Sequence, residues 1–296
     1  MSAGIFAIIG ALAFSFDAIV IRRAVIKVAN AAAGVMISAP LSVPYFLIVL
    51  TAMGELNSIA RFSWQSYAWL AGAGILHFVI GRSLSYNCVQ LVGANLTNIL
   101  RRTSPLVAVI LGISVLGEPL SWQLIVGSLL IIGGVVATGL NLQMFRGEQR
   151  PFAGIPGKAI FYGISAGLAW GTSPIMIKLG LEEAGSPVAG ALVAYLAATI
   201  VLSMSLMNQN RRTDLFSMDR RAVGFFCMSG LLSSTAQLLK FIALSVAPAS
   251  VVAPLFNTSP IFTIILTFLL NRKLEVFSPT VIIATIAVVA GAILLI

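Results

Sequence analysis

Charge is what this sequence has least of. Aspartate, glutamate, lysine and arginine make up 9% of its 296 residues, and there is a single histidine, His77. Soluble domains carry about 25% charged residues, so an ordinary water-facing surface is excluded. Cysteine is nearly absent too. Cys88 and Cys227 both fall in apolar stretches, which leaves no disulfide framework and no cysteine metal site. There is no H-E-x-x-H, no pair of aspartates within apolar runs and no P-loop. The motifs of an intramembrane lipid-processing enzyme and of ATP-driven transport within this chain are therefore missing.

What the sequence does have is hydrophobicity: 59% apolar residues and a mean hydropathy of +1.02. Apolar runs of roughly 18 to 23 residues recur along the whole chain, each long enough to cross a bilayer as a helix. The ten-residue alternation of a transmembrane β-barrel is lacking. The first run, "AGIFAIIGALAFSFDAIVIRR", has neither a basic leader nor a small-residue cleavage site and reads as a span. The expected fold is an all-α polytopic membrane protein. Its spans fall near 3–22, 31–53, 67–91, 94–116, 122–141, 158–179, 187–207, 222–246, 249–270 and 278–296. Tight reversals are expected at Val92-Gly93 and Ala247-Pro248.

The chain repeats itself. "NILRRTSPLVAVILGISVL" returns as "APLFNTSPIFTIILTFLL", with Thr103-Ser104-Pro105 matching Thr258-Ser259-Pro260 at an offset of 155. "GALAFSFDAIVIR" returns as "AGLAWGTSPIMIK", so Phe14 matches Trp170, Asp17 matches Ser173 and Arg22 matches Lys178. Self-similarity at a fixed period means duplication. Five spans per copy is an odd number, so the second copy enters the membrane inverted. Inverted repeats are a recurrent architecture of secondary transporters, with the binding site near the midplane.

Basic residues set the expected orientation. The loops after odd-numbered spans hold Arg22, Arg23 and Lys27; Arg146, Arg150 and Lys158; Arg211, Arg212, Arg220 and Arg221; and Arg272 and Lys273. The opposite side holds only Arg61 and Lys178. Cytoplasmic loops accumulate Lys and Arg, which places these loops inside and both termini outside the inner (cell) membrane. The net charge of +9 is then a matter of topology rather than of nucleic-acid binding.

The stretch from "GRSLSYNCVQLVGANLTNILRRTSP" to "LGEPLSWQLIVGSLLIIGGVV" resembles the EamA domain of the drug/metabolite transporter superfamily. Its matching features are Gly93-Ala94, Ser104-Pro105 and Leu116-Gly117-Glu118-Pro119-Leu120. The second copy resembles the same domain but carries Asn271-Arg272-Lys273 in place of Leu-Gly-Glu. The resemblance implies ten transmembrane helices in two inverted five-helix repeats, residues 1–141 and 158–296, joined by a cytoplasmic linker over 142–157. It further implies a central cavity lined by spans 1, 3, 4, 6, 8 and 9, with spans 5 and 10 at the periphery. The small-xxx-small pairs Gly133/Ala137 and Ala287/Gly291 suit close packing there, within a monomer or across a homodimer.

Four basic residues lie inside spans: Arg82, Arg101, Arg102 and Lys240. Asp17 is the sole acid there. A charge at mid-bilayer costs at least about 2.5–3.5 kcal/mol, so such groups face a bundle interior or a wet cavity. Asn95, Asn98, Arg102 and Pro105 share one helical stripe, and Asn257 is the repeat mate of Arg102. Ser229, Ser233, Gln237 and Lys240 form a stripe on span 8, and His77 lies on span 3. The candidate substrate-binding set is Arg102, Asn98, Asn95, Arg82, His77, Trp170, Gln237, Lys240 and Asn257. Asp17 is the candidate for proton coupling or for an ion pair with Arg82 or Arg102. Pro105 and Pro260 are candidate gating kinks. The competing structural reading has the arginines snorkelling about 12 Å to the interface, Trp170 as packing, and His77 as a hydrogen-bonded core residue.

A cavity with several bases and one acid favours a small anionic or zwitterionic solute, such as an amino acid or a phosphorylated acid. The expected function is alternating-access secondary transport, with no cofactor and no metal. The alternative is export of amines or drug-like cations on Asp17.

Overall fold

The computed structural model describes residues 2–25, 28, 31–145, 155–182, 185–270 and 279–296. The linker proper and the basic residues Lys27, Arg146, Arg150, Arg272 and Lys273 lie outside them. Every described element is helical, as a chain without water to satisfy its backbone requires. The first copy contributes α1 (Ser2–Val25), α2 (Ala31–Ser38), α3 (Ser42–Ala52), a 3-10 turn (Leu56–Arg61) and α4 (Trp64–Gly74). A π-helical segment (Ile75–Gly81) follows, then α5 (Arg82–Leu100), α6 (Thr103–Leu116) and α7 (Trp122–Phe145). The second copy contributes α8 (Gly157–Leu181), α9 (Pro187–Ser205), α10 (Gln209–Phe216) and α11 (Arg220–Val246). It ends with α12 (Ala249–Phe256), α13 (Ser259–Leu270) and α14 (Pro279–Leu295).

Among the described residues, five segments are long and apolar enough to cross a membrane: Ala3–Ile21, Ala33–Ala52, Gly157–Leu181, Pro187–Ser205 and Arg220–Val246. One of these, Ala33–Ala52, is itself interrupted at Pro40, between α2 and α3. The fourth and ninth expected spans break at their middles.

Local chemistry sets the ends. Ser63 and Ser186 accept the N–H of Ser66 and Ala189 at 3.1 and 3.2 Å, capping α4 and α9. Gly117 ends α6 at φ +64, a left-handed conformation that favours glycine. Ala247 is forced extended by Pro248, which produces the reversal between α11 and α12. The matching reversal in the first copy is hidden, because α5 is helical through Val92-Gly93. Nevertheless, a Cβ built on Gly163 would touch both Cys88 and Leu100. Twelve residues of straight helix would span about 18 Å, so the chain turns back between those two positions.

The copies exchange partners symmetrically. α1 packs along α11 and touches α12 and α13, while α8 packs along α4 and α5 and touches α6. Mates also meet, α7 with α14 and α3 with α9, and α6 packs against α12. Phe46, Phe78 and Tyr195 build the apolar centre, with Phe78 and Tyr195 stacked at 4.0 Å.

The connections after α3, α6, α8 and α11 meet at one end. Ser186 donates to Glu55 at 2.6 Å. Lys178 donates to the carbonyls of Leu244 and Ala247 at 3.4 and 2.7 Å. The Glu118 carboxylate accepts the backbone N–H of Ala249 at 2.6 Å and of Ser250 at 2.8 Å. At the other end Ala24 packs with Ala222 and Phe226.

Candidate functional site

The site grows out of two broken helices. α5 passes to α6 through Arg101 and Arg102, whose ψ angles of −8° and −2° abandon the α-helical ladder. α12 passes to α13 through Asn257 at ψ 2°. These breaks occupy matching positions in the two copies. Pro105 and Pro260 fall in the first turn of α6 and α13, where a missing N–H costs nothing. This corrects the expectation of mid-helix kinks: the prolines begin new half-helices, and the bends lie at the residues before them.

The two breaks touch. The Arg102 guanidinium donates to the Asn257 side-chain oxygen at 3.1 Å, and Asn257 in turn donates to the Ala253 carbonyl at 2.9 Å. Repeat mates that touch lie on the pseudo-two-fold axis, so this hydrogen bond marks the centre of the duplication. Arg101 meets different partners from Arg102. It donates to Ser85 at 2.9 Å and lies 4.6 Å over the Trp170 ring. Both arginines are held inward rather than snorkelling.

His77 sits in the π-helical segment, an irregularity frequent at functional sites. Its Nδ1 is 3.0 Å from the Ser173 hydroxyl, and its Nε2 is 3.1 Å from the Gln237 amide nitrogen. One tautomer satisfies both contacts, with Nδ1–H donating to Ser173 and Nε2 accepting from Gln237. Trp170 stacks on His77 at 5.7 Å and donates its indole N–H to the His77 carbonyl at 2.9 Å. Gln237 is 1% exposed, and its amide oxygen has no described partner.

The remaining charges lie around this network. Arg82 lies 5.2 Å over the Phe78 ring and reaches the Ser38 hydroxyl at 3.5 Å. Lys240 is 7% exposed, 6.0 Å from the Phe256 ring, and no described residue accepts a hydrogen bond from it. Asp17 accepts from Ser229. A hydroxyl on α11 is thus a direct partner of the carboxylate, where the sequence suggested proton coupling or an ion pair with Arg82 or Arg102. Asn95 and Asn98 fall in α5, but their side chains lie outside the described residues.

Arg102, Arg101, Trp170, His77, Gln237 and Asn257 are thus joined into one centre built from both copies. Ser173, Ser38 and Ser85 complete it. These serines were not named as site residues from the sequence, although Ser173 stands opposite Asp17 in the repeat. No cluster of histidine, cysteine, aspartate and glutamate suited to a metal occurs among the described residues.

A family model described as the EamA-like transporter family matches residues 1–140 and again 157–296. One solved structure, known only as a crystal structure of a protein, superposes with a TM-score of 0.78 at 16% identity, over 99% of this chain and 96% of its own. That likeness concerns the fold alone. No curated protein matches the chain in sequence. Two matches that together cover nearly the whole length decide the matter: this chain belongs to the EamA-like transporter family, multi-pass membrane proteins that move small molecules and are not enzymes.

Proposed function

We propose that the chain is an alternating-access secondary transporter for a small anionic or zwitterionic solute. Ten crossings form two inverted five-helix repeats, divided near 141 and 158, around a centre on the pseudo-two-fold axis. The observation that carries this reading is Lys240. Its ammonium is buried and no described residue accepts a hydrogen bond from it, while Arg82 and Arg102 make hydrogen bonds only to neutral groups among the described residues. A buried charge without a counter-ion is costly, and a carboxylate or phosphate of the solute supplies one. Arg102 and Asn257 then release each other to clamp the solute. The outer end, closed here by the Glu118 and Lys178 contacts, opens in the other half of the cycle. The odd-numbered loops face the cytoplasm.

The test is a thermal-shift series on the purified protein with carboxylates, phosphates, zwitterionic amino acids and amines. A ligand that binds only the folded state raises the melting temperature. Anions or zwitterions are expected to stabilise the wild type, and Arg102→Gln is expected to lose that response while melting near the wild-type temperature. Stabilisation by amines alone would overturn the reading.

Asp17 supports a second reading, since one carboxylate on α1 bonded to Ser229 is a natural seat for a proton or an amine. If it couples protons, an imposed pH gradient drives transport in the wild type but not in Asp17→Asn. An equal response in both removes Asp17 from coupling.

A further inference from the structure

Away from the centre, at the end where Ala24 meets Phe226, the chain between α9 and α11 carries a groove of about 590 Å³. Met207, Gln209, Arg212, Thr213, Phe216 and Ser217 line it. Met207 and Phe216 are 86% and 79% exposed. In water these would be costly. They are explained by what lies beside them.

α9 presents one exposed apolar stripe, Leu196, Ile200 and Met204, and Met207 continues it at helical spacing. From 196 to 207 the stripe rises about 17 Å at 1.5 Å per residue. That is close to half of a hydrocarbon core about 30 Å thick. The stripe therefore runs from near the bilayer midplane to the boundary of one leaflet, and the groove opens where it ends.

The polar lining has one sign. Arg212 is exposed within the groove, and Arg211, Arg220 and Arg221 are exposed around it. The acids of this segment are Asp214 and Asp219, so residues 208–221 carry four bases against two acids. The hydroxyl protons of Thr213 and Ser217 already go to the Gln209 and Asp214 carbonyls, at 3.0 and 3.3 Å. Among the described residues lining the groove, the donors left are the Arg212 guanidinium and the Gln209 side-chain amide, and the guanidinium's chemistry is phosphate recognition.

We propose that this groove is a binding site for one anionic phospholipid of that leaflet. An acyl chain lies along Leu196, Ile200 and Met204. The glycerol backbone rests between Met207 and Phe216, and the phosphate is held by Arg212. α10 lies in the interface plane, its arginines toward the headgroups and Phe216 toward the acyl region. The site is independent of the solute centre and of which face of the membrane this end occupies.

The experiment is thermal shift and native mass spectrometry of the full-length detergent-solubilised protein, titrated with dioleoyl-phosphatidylglycerol, dioleoyl-phosphatidylcholine or inorganic phosphate. Phosphatidylglycerol is expected to bind and stabilise, with phosphatidylcholine and inorganic phosphate at least fivefold weaker. Arg212→Gln should lower phosphatidylglycerol affinity about fivefold, the scale of one basic contact to an anionic surface. Arg220→Gln removes the same charge outside the groove and should leave affinity within twofold of wild type. Phe216→Ser should weaken phosphatidylglycerol without altering the phosphate response. Equal losses in Arg212→Gln and Arg220→Gln would reduce the effect to diffuse charge and overturn the site. So would equal binding of phosphatidylcholine, or phosphate stabilising as well as the lipid. Because both arginines are exposed, neither variant is expected to compromise folding.

Discussion

At the scale of single residues, Lys240 puts the proposed anion site to the test. Lys240 is buried beside the Phe256 ring, in space that an apolar chain would fill at lower cost. Replacing buried ionic groups by hydrophobes of similar volume is often neutral or stabilising, by about 1–4 kcal/mol for a buried ion pair, and a lone buried charge carries an uncompensated desolvation cost. Lys240→Met is therefore expected to melt above the wild type without ligand, and to lose the stabilisation given by anionic solutes. A melting curve with and without solute reads both. If Lys240→Met melts lower, the ammonium holds the fold together through contacts of its own, and its role as the solute's partner falls. Arg102 behaves differently, because its hydrogen bond to Asn257 partly compensates it.

At the scale of elements, the turn between α11 and α12 is gripped from both sides. Lys178 takes the last carbonyls of α11 and Glu118 the first N–H groups of α12, so each charge meets the helix end of opposite polarity. Hydrogen bonds to a charged group contribute about 1.5–3 kcal/mol each. Glu118→Gln keeps the shape and loses the charge, and should lower the melting temperature measurably. A Cβ on Gly112 would come within 2.5 Å of a Glu118 carboxylate oxygen. Gly112→Ala should therefore weaken the same cap, and the double variant should lose less than the sum of the singles. Additive losses would show that the two positions act separately.

The repeat, and the polar stripe that makes Asn257 the mate of Arg102, were legible from residue identity and spacing; that the two side chains meet, and that the arginines turn inward rather than snorkel, was not. Nor was the partner of Asp17. Serine is neutral and common in these helices, and nothing in its spacing shows that Ser229 would face α1. Nor did the pattern of residues 75–81 announce a π-helical turn, because one extra residue per turn leaves composition unchanged. The prolines were visible, but their consequence depended on where each half-helix restarts, which packing against α8 and α1 decides. Glu118 stood out as part of a motif; its hold on α12 required the fold to bring the two copies together.

At the scale of the whole molecule, the contacts Glu55–Ser186 and Glu118–Ala249 gather one set of connections at one end, and the arginines of 211–221 lie at the other. Orientation is then a single binary question. With Cys88 and Cys227 replaced, a cysteine placed at Gly185 should react with an impermeant maleimide on intact cells. One placed at Gln209 should react only after permeabilisation. The reverse pattern would invert the assignment of inside and outside without touching the fold.

The contact between Arg102 and Asn257 also bears on ancestry. A protein assembled from two identical copies of one five-helix unit would place the same residue on both sides of its axis. Two arginines there would repel within hydrocarbon, and two asparagines would carry no charge for the solute. An arginine facing an asparagine is open only to subunits encoded separately or joined in one chain. Divergence between the two copies is therefore what allowed the axis itself to become chemically lopsided, and a single unit expressed alone could not rebuild this centre by pairing with itself.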